Sequence, residues 1–180
     1  MPRYVAFLRA VNVGGRIVKM DELRRLFEAA GLADVETFIA SGNVVFSSRS
    51  TATAGVERTI EAQLREALGY DVPTFVRTTA EVAAAAAHRA FAEPEIARAG
   101  AHLVAFLRGP LDAAGRKGLA TLESPIDRFV ARGREVYWLS TPKQSESKLT
   151  LVKFERALGQ PATMRAMTSV GKLAAKHCGA

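Results

Sequence analysis

The chain has 180 residues, 48% of them hydrophobic and 24% charged, with a formal net charge of +7. Those fractions are ordinary for a soluble globular protein, long enough for one large domain or two small ones, and no disulfide or metal is needed to explain folding. No apolar run reaches the roughly 18 residues of a membrane span, and the single cysteine, Cys178, suits a reducing compartment. The first residues offer no signal-peptide pattern, because Arg9 interrupts the apolar run and no small-residue cleavage site follows. The expected location is cytoplasmic, with no membrane partner.

Tyr4–Ala10 is rich in β-formers and predicts a strand. Asn12–Gly15 must be loop, since Gly14-Gly15 supplies backbone freedom that neither helix nor strand uses. Asp21 can cap the next helix, whose Leu23, Leu26, Phe27 and Ala30 recur at helical spacing up to Gly31. Val35–Ala40 and Asn43–Ser47 read as strands around a Ser41-Gly42 turn. Val56, Ile60, Leu64 and Leu68 mark a helix that Gly69 ends. Val72–Arg77 is a fourth strand, with Pro73 tolerated at its start. The order is β-α-β-β-α-β, the ferredoxin-like split unit.

Thr78 and Glu81 resemble a capping box opening an alanine-rich helix to about Ala92, which Pro94 stops. The order then restarts. Leu103–Gly109 (LVAFLRG) shares VAFLR with Tyr4–Ala10, and a helix over Leu111–Leu122 follows. The hairpin Thr37–Phe46 (TFIASGNVVF) aligns without a gap on Arg128–Tyr137 (RFVARGREVY), Phe38 on Phe129 and Phe46 on Tyr137. Ser147–Leu158 is a helix closed by Gly159 and Pro161, Ala162–Ala166 a short strand and Thr168–His177 a last helix. The predicted fold is α+β: duplicated ferredoxin-like units over 1–78 and 101–180, a helical linker over 79–100 and a C-terminal helix. Val5 maps to Val104, a shift of 99, and Phe38 to Phe129, a shift of 91. The first copy is thus expected to be eight residues longer between its first two strands, most naturally around Asn12–Lys19. Loops longer than packing requires are where binding sites tend to sit.

VAFLRAVNVGG, the helix start at Met20 and VETFIASGNVVF together resemble the domain of unknown function 1697 family, whose members carry LLRGINVGG-type and TYIQSGNVVF-type segments. ATMRAMTSVGKL is similar to a third, threonine–arginine–asparagine–tryptophan motif of that family. The residues that carry over are Arg9, Asn12, Gly14, Gly15, Ser41, Gly42, Asn43, Thr163 and Arg165. Ala40 replaces a glutamine, and Ala166, Met167 and Thr168 stand where the family has Asn, Trp and Asn. The resemblance implies a two-lobed ferredoxin-like fold and no particular activity.

Asn12–Arg16 is a candidate anion nest: glycines let successive N–H groups converge, and Arg16 adds charge. It lacks the Gly-Lys-Ser/Thr of a Walker loop, and the plainer alternative is a flexible strand-to-helix turn. Ser41-Gly42-Asn43 is first a hairpin turn, in which Gly and Asn would supply positive φ, with Ser41 and Asn43 able to offer polar groups beside the loop. The expected site is therefore Arg9, Asn12, Gly14, Gly15, Arg16, Ser41 and Asn43, with Arg165, taking a small anionic ligand and no cofactor. His88, His102 and His177 lie far apart in sequence without ligand spacing, so no metal site is expected.

Residues 79–180 hold 15 Lys/Arg and 9 Asp/Glu, a balance of +6, against +1 for residues 1–78. This keeps open non-specific polyanion (nucleic-acid) binding through Arg128, Arg132, Arg134, Lys143, Lys148 and Lys153. The strand order is also that of the RRM, but the aromatic run an RRM needs is missing. An enzyme acting on a phosphorylated or carboxylated metabolite is a third alternative.

Overall fold

The computed structural model describes residues 1–12, 14–39 and 42–179. The chain runs β1 (Arg3–Leu8), α1 (Met20–Ala29), β2 (Ala33–Thr37), β3 (Asn43–Ser47), α2 (Thr53–Leu68), β4 (Thr74–Thr78) and α3 (Thr79–Ala87). After a short helix, α4 (Glu93–Arg98), the series repeats: β5 (Ala101–Leu107), α5 (Ala113–Leu122), β6 (Asp127–Arg132), β7 (Glu135–Ser140), α6 (Leu151–Leu158), β8 (Ala162–Ala166) and α7 (Met167–His177). Two compact units result, one of Met1–Ala84 with the stretch from Leu173 on, the other of Ala85–Lys172.

Each unit holds a four-stranded antiparallel sheet, ordered β2-β3-β1-β4 in the first and β6-β7-β5-β8 in the second. The two orders are the same, so what repeats is the connectivity of the ferredoxin-like unit. In the first unit Tyr4, Ala6, Leu8, Val44, Phe46 and Val76 pack with Leu23, Phe27, Ile60 and Leu64 of the helices. Leu103, Ala105, Leu107, Val136 and Trp138 do the same with Leu119, Phe154 and Leu158 in the second. Val5, Phe7, Val45 and Phe75 on the other face of the first sheet, and Val104, Phe106 and Tyr137 on that of the second, are buried as well. Burial on both faces explains why VAFL is a continuous apolar run instead of an alternating one. Each such side chain contributes about 1.5–3 kcal/mol.

Strand register corrects the gapless hairpin alignment. Val5 faces Val45 in the first sheet and its counterpart Val104 faces Tyr137 in the second, so Val45, not Phe46, is the equivalent of Tyr137. Phe46 corresponds to Trp138, and both sit in the helix-side cores. A slip of one residue moves a side chain to the opposite face, and letter matching alone does not see faces. Glu36, opposite Val45, corresponds to Val130, opposite Tyr137. The second strands are therefore offset by 94 and the first strands by 99, and the surplus is five residues, not eight. It lies in the expected place: the strand-to-helix loop spans 9–19 in the first unit and only 108–112 in the second, six residues longer, offset by one residue fewer between helix and second strand, 30–32 against 123–126.

Three further expectations are corrected. Asp21 does not cap α1; Lys19 occupies the cap position without a side-chain bond, and Asp21 lies in the first turn, 3.6 Å from Arg24. The helix after Thr78 ends at Ala87, and Pro94 opens α4 instead of stopping its predecessor, a position where its missing N–H costs nothing. The helix placed at Ser147 starts at Leu151, capped by the Thr150 hydroxyl. The capping box is as expected: Thr78 N–H donates to Glu81 Oε2 at 2.8 Å and Glu81 N–H to Thr78 Oγ1 at 3.1 Å.

The edge strand β4 is closed by carboxylates. The N–H groups of Thr74, Val76 and Thr78 donate to Glu61, Glu57 and Glu81, each at 2.8 Å. Edge N–H groups left open are templates for pairing with another chain, and here α2 and α3 supply the acceptors. Glu155 serves Ala162 in the same way on β8.

Candidate functional site

The loop between β1 and α1 is tied down at three points. The Asn12 Oδ1 accepts the Val18 N–H at 2.7 Å and closes the loop across its neck. The Tyr70 hydroxyl donates to the Val11 carbonyl at 3.0 Å, and the Arg16 guanidinium lies 4.2 Å above the Tyr70 ring. Val11 and Val18 anchor the two ends in the core. Between them Asn12, Gly14, Gly15 and Arg16 are exposed. Gly14 and Gly15 have φ of 63° and 79°, and a Cβ at either would meet nothing within 4 Å. Backbone conformation, not space, is what calls for glycine there.

The hairpin turn stands beside this loop. Gly42, at φ 79°, accepts the Leu8 N–H on its carbonyl at 2.8 Å. Asn43 is buried, and its Nδ2 donates to the Phe38 carbonyl at 3.0 Å while the Phe38 N–H donates to the Asn43 carbonyl at 2.9 Å. Asn43 is thus a strut of the turn and is not at positive φ; Gly42, as expected, is, and so is Ile39 at 57°. Ser41 lies outside the described residues. Val11, Asn12, Val18, Met20, Thr37, Ile39, Gly42 and Asn43 line one shallow depression of about 10 Å³, the volume of a single water. The structure therefore brings Asn12 and Asn43 together, with Arg16 held by Tyr70 on the same loop.

The left-handed backbone at this place is costly. Ala10 and Ile39 both have φ of 57°. For residues with a Cβ this conformation costs roughly 1–2 kcal/mol each, and such strain collects at functional sites. No sequence signal pointed to Ile39 or to Tyr70. The first looks like any strand residue, and the second reaches the loop from 59 positions away.

Other sequence-level candidates lie elsewhere. Arg9 is half-buried, with its backbone N–H on the Pro73 carbonyl. Arg165 belongs to the second unit, where its Nη1 donates to Thr163 Oγ1 at 2.8 Å and to the Met164 carbonyl at 2.9 Å. Burial lowers its pKa to about 10, so it remains cationic at neutral pH. Its counterpart is the buried Arg77: the two stand opposite the equivalent residues Val5 and Val104. Arg128 is paired with Glu95, and Arg132 with the His88 Nδ1 at 2.6 Å. Among the described residues, no three His, Cys, Asp or Glu side chains gather as metal ligands. No helix among them is long and apolar enough to cross a membrane.

A groove of about 590 Å³ in the first unit is lined by Met1, Leu32, Ser48, Arg49, Ser50 and Thr59, among others. It lies where β1 begins and β3 ends, the opposite end of the sheet from the Asn12 loop. Its Ser48 and Ser50 hydroxyls are occupied by backbone N–H groups of their own turn.

A family described as "Protein of unknown function (DUF1697)" matches residues 1–137. The match stops short of Ala166–Thr168, the stretch where this chain departs from the third motif. The structure of a conserved bacterial protein from Streptococcus pneumoniae superposes with a TM-score of 0.74 at 22% identity, over 97% of this chain and 99% of that one. At this identity the likeness speaks for the fold alone. No curated protein matches.

Proposed function

The chain belongs to the DUF1697 family, and for this member we propose small-anion binding at the Asn12–Arg16 loop beside the Gly42–Asn43 turn. The observation that carries the reading is the meeting of the surplus loop and the turn: Asn12 and Asn43 line one depression, in a loop that Tyr70 and Asn12 hold in place. Arg16 supplies the charge, and Gly14 and Gly15 leave the space beside their backbone open. Arg9 and the family-motif residues Ser41 and Arg165 complete the set we would test by mutation. The single cysteine makes a cytoplasmic setting the one we propose.

A polyanion is the second reading, favoured by the +6 balance of residues 79–180. The pairing of Arg128 with Glu95 lowers its support. Arg16→Ala separates the two. It should weaken inorganic phosphate binding, read by titration calorimetry, by about tenfold or more, as expected for a lost charge-assisted contact. It should leave binding of a single-stranded oligonucleotide, read by polarisation, nearly unchanged. The reverse pattern would favour the polyanion.

A further inference from the structure

The depression beside Asn12 is too small for any solute beyond a water. A ligand of the loop must therefore lie across it, and the surface it would cover is apolar. Met20 and Ile39 stand together at the depression yet are 43% and 41% exposed; Ile17 does not line it, but follows Arg16 in the chain and is 81% exposed. Large apolar side chains scattered singly on a surface mean little, but grouped at one place they mark a contact. Ile39 adds a second observation: a β-branched residue is held at φ 57°, where glycine would be at ease. The fold keeps an isoleucine there, facing water, beside the polar residues of the loop.

We infer that the ligand is an anion carrying an apolar group, of the class of aryl or alkyl phosphate monoesters. The phosphate sits at the loop with Arg16, and the ester group packs on Ile39, Met20 and Ile17. Charge complementarity chooses this occupant over a neutral apolar one: the exposed Arg16 and Lys19 stand on either side of Ile17 and Val18 in sequence. The inference rests on the anion-binding reading and adds the second half of the ligand.

Titration calorimetry of the intact protein with phenyl phosphate and with inorganic phosphate tests it. Phenyl phosphate should bind about tenfold more tightly, the gain expected from covering roughly 60 Å² of apolar surface. In Ile39→Gly that ratio should fall to about one or two, while the melting temperature stays equal or rises because the left-handed backbone is relieved. Ile17→Ser, on an exposed loop, is the second variant and should cut the ratio in the same direction. Equal affinity for the two ligands, or an unchanged ratio in both variants, overturns the inference and leaves the anion site standing. Failure of both ligands to bind overturns the anion site itself, and the inference with it.

Discussion

Gly42 shows how much one residue can carry. Its φ of 79° disfavours any side chain, and a Cβ would also stand 3.1 Å from Leu8 Cβ and from Val11 Cγ1. Gly42→Ala should therefore cost about 2 kcal/mol, backbone strain and overpacking together, measured by urea unfolding. Gly14→Ala meets no atom and should cost only about 1 kcal/mol from its φ. His177 gives the pH dependence. Its ring stacks edge-on against Phe38 at 5.3 Å, its Nε2 lies 3.7 Å from Glu36 Oε1, and Lys176 bonds the same oxygen at 2.7 Å. Burial holds its pKa below 6.5, against the upward pull of the Glu36 carboxylate, with Lys176 and Arg3 pushing it down as well. The Lys176 hydrogen bond, the largest cause, holds Glu36 below its ordinary value. Groups held low in the folded state take up protons first when unfolded, so the His177 contribution is present above pH 6.5 and lost on acidification below it, and that of Glu36 is present above pH 4.5 and lost below that. Hydrogen-exchange protection over 173–177 should fall between pH 7 and pH 5, and His177→Gln should flatten that fall. Unchanged protection in the parent protein would contradict this.

At the scale of elements, β4 depends on the helix that precedes it. Glu57 is buried and accepts the Val76 N–H in the middle of the strand. Removing the acceptor strands a buried donor, so Glu57→Ala should cost about 2–3 kcal/mol, while Glu57→Gln, which keeps an oxygen there, should cost less. Guanidinium unfolding of the two variants decides; equal losses would mean that the carboxylate does not act as this acceptor. The same scale shows what could be read from letters. The shared VAFLR found the equivalent strands β1 and β5, because burial on both faces demands the same apolar run in each. The gapless hairpin alignment misled by one residue at the third strand and by three at the second, because letters matched while Phe46 and Tyr137 face opposite ways. The loop excess was found in the right place and overcounted for the same reason. Tyr70 and the strain at Ile39 were beyond reach: one depends on a contact across 59 residues, the other on a backbone angle that isoleucine does not announce.

For the whole molecule, the sequence-level division at 1–78, 79–100 and 101–180 remains our proposal for the repeated units. The compact units change at 84/85 and 172/173 instead, because α3 and α7 each run across a boundary. α3 and α7 hold the same place in the repeat, each following its last strand without a loop. The helix first read as a linker is therefore the counterpart of the C-terminal one. Within this repeated frame the loop after the first strand runs over 9–19 in the first half and over 108–112 in the second, and that difference is the ground for placing function there. The most direct measurement is an amide chemical-shift titration of the intact protein with inorganic phosphate at pH 7. The account predicts saturable shifts at Asn12, Gly14, Gly15, Arg16 and Asn43, with the 108–112 loop of the second unit unmoved. Shifts at both loops alike, or none at Asn12–Arg16, would contradict it.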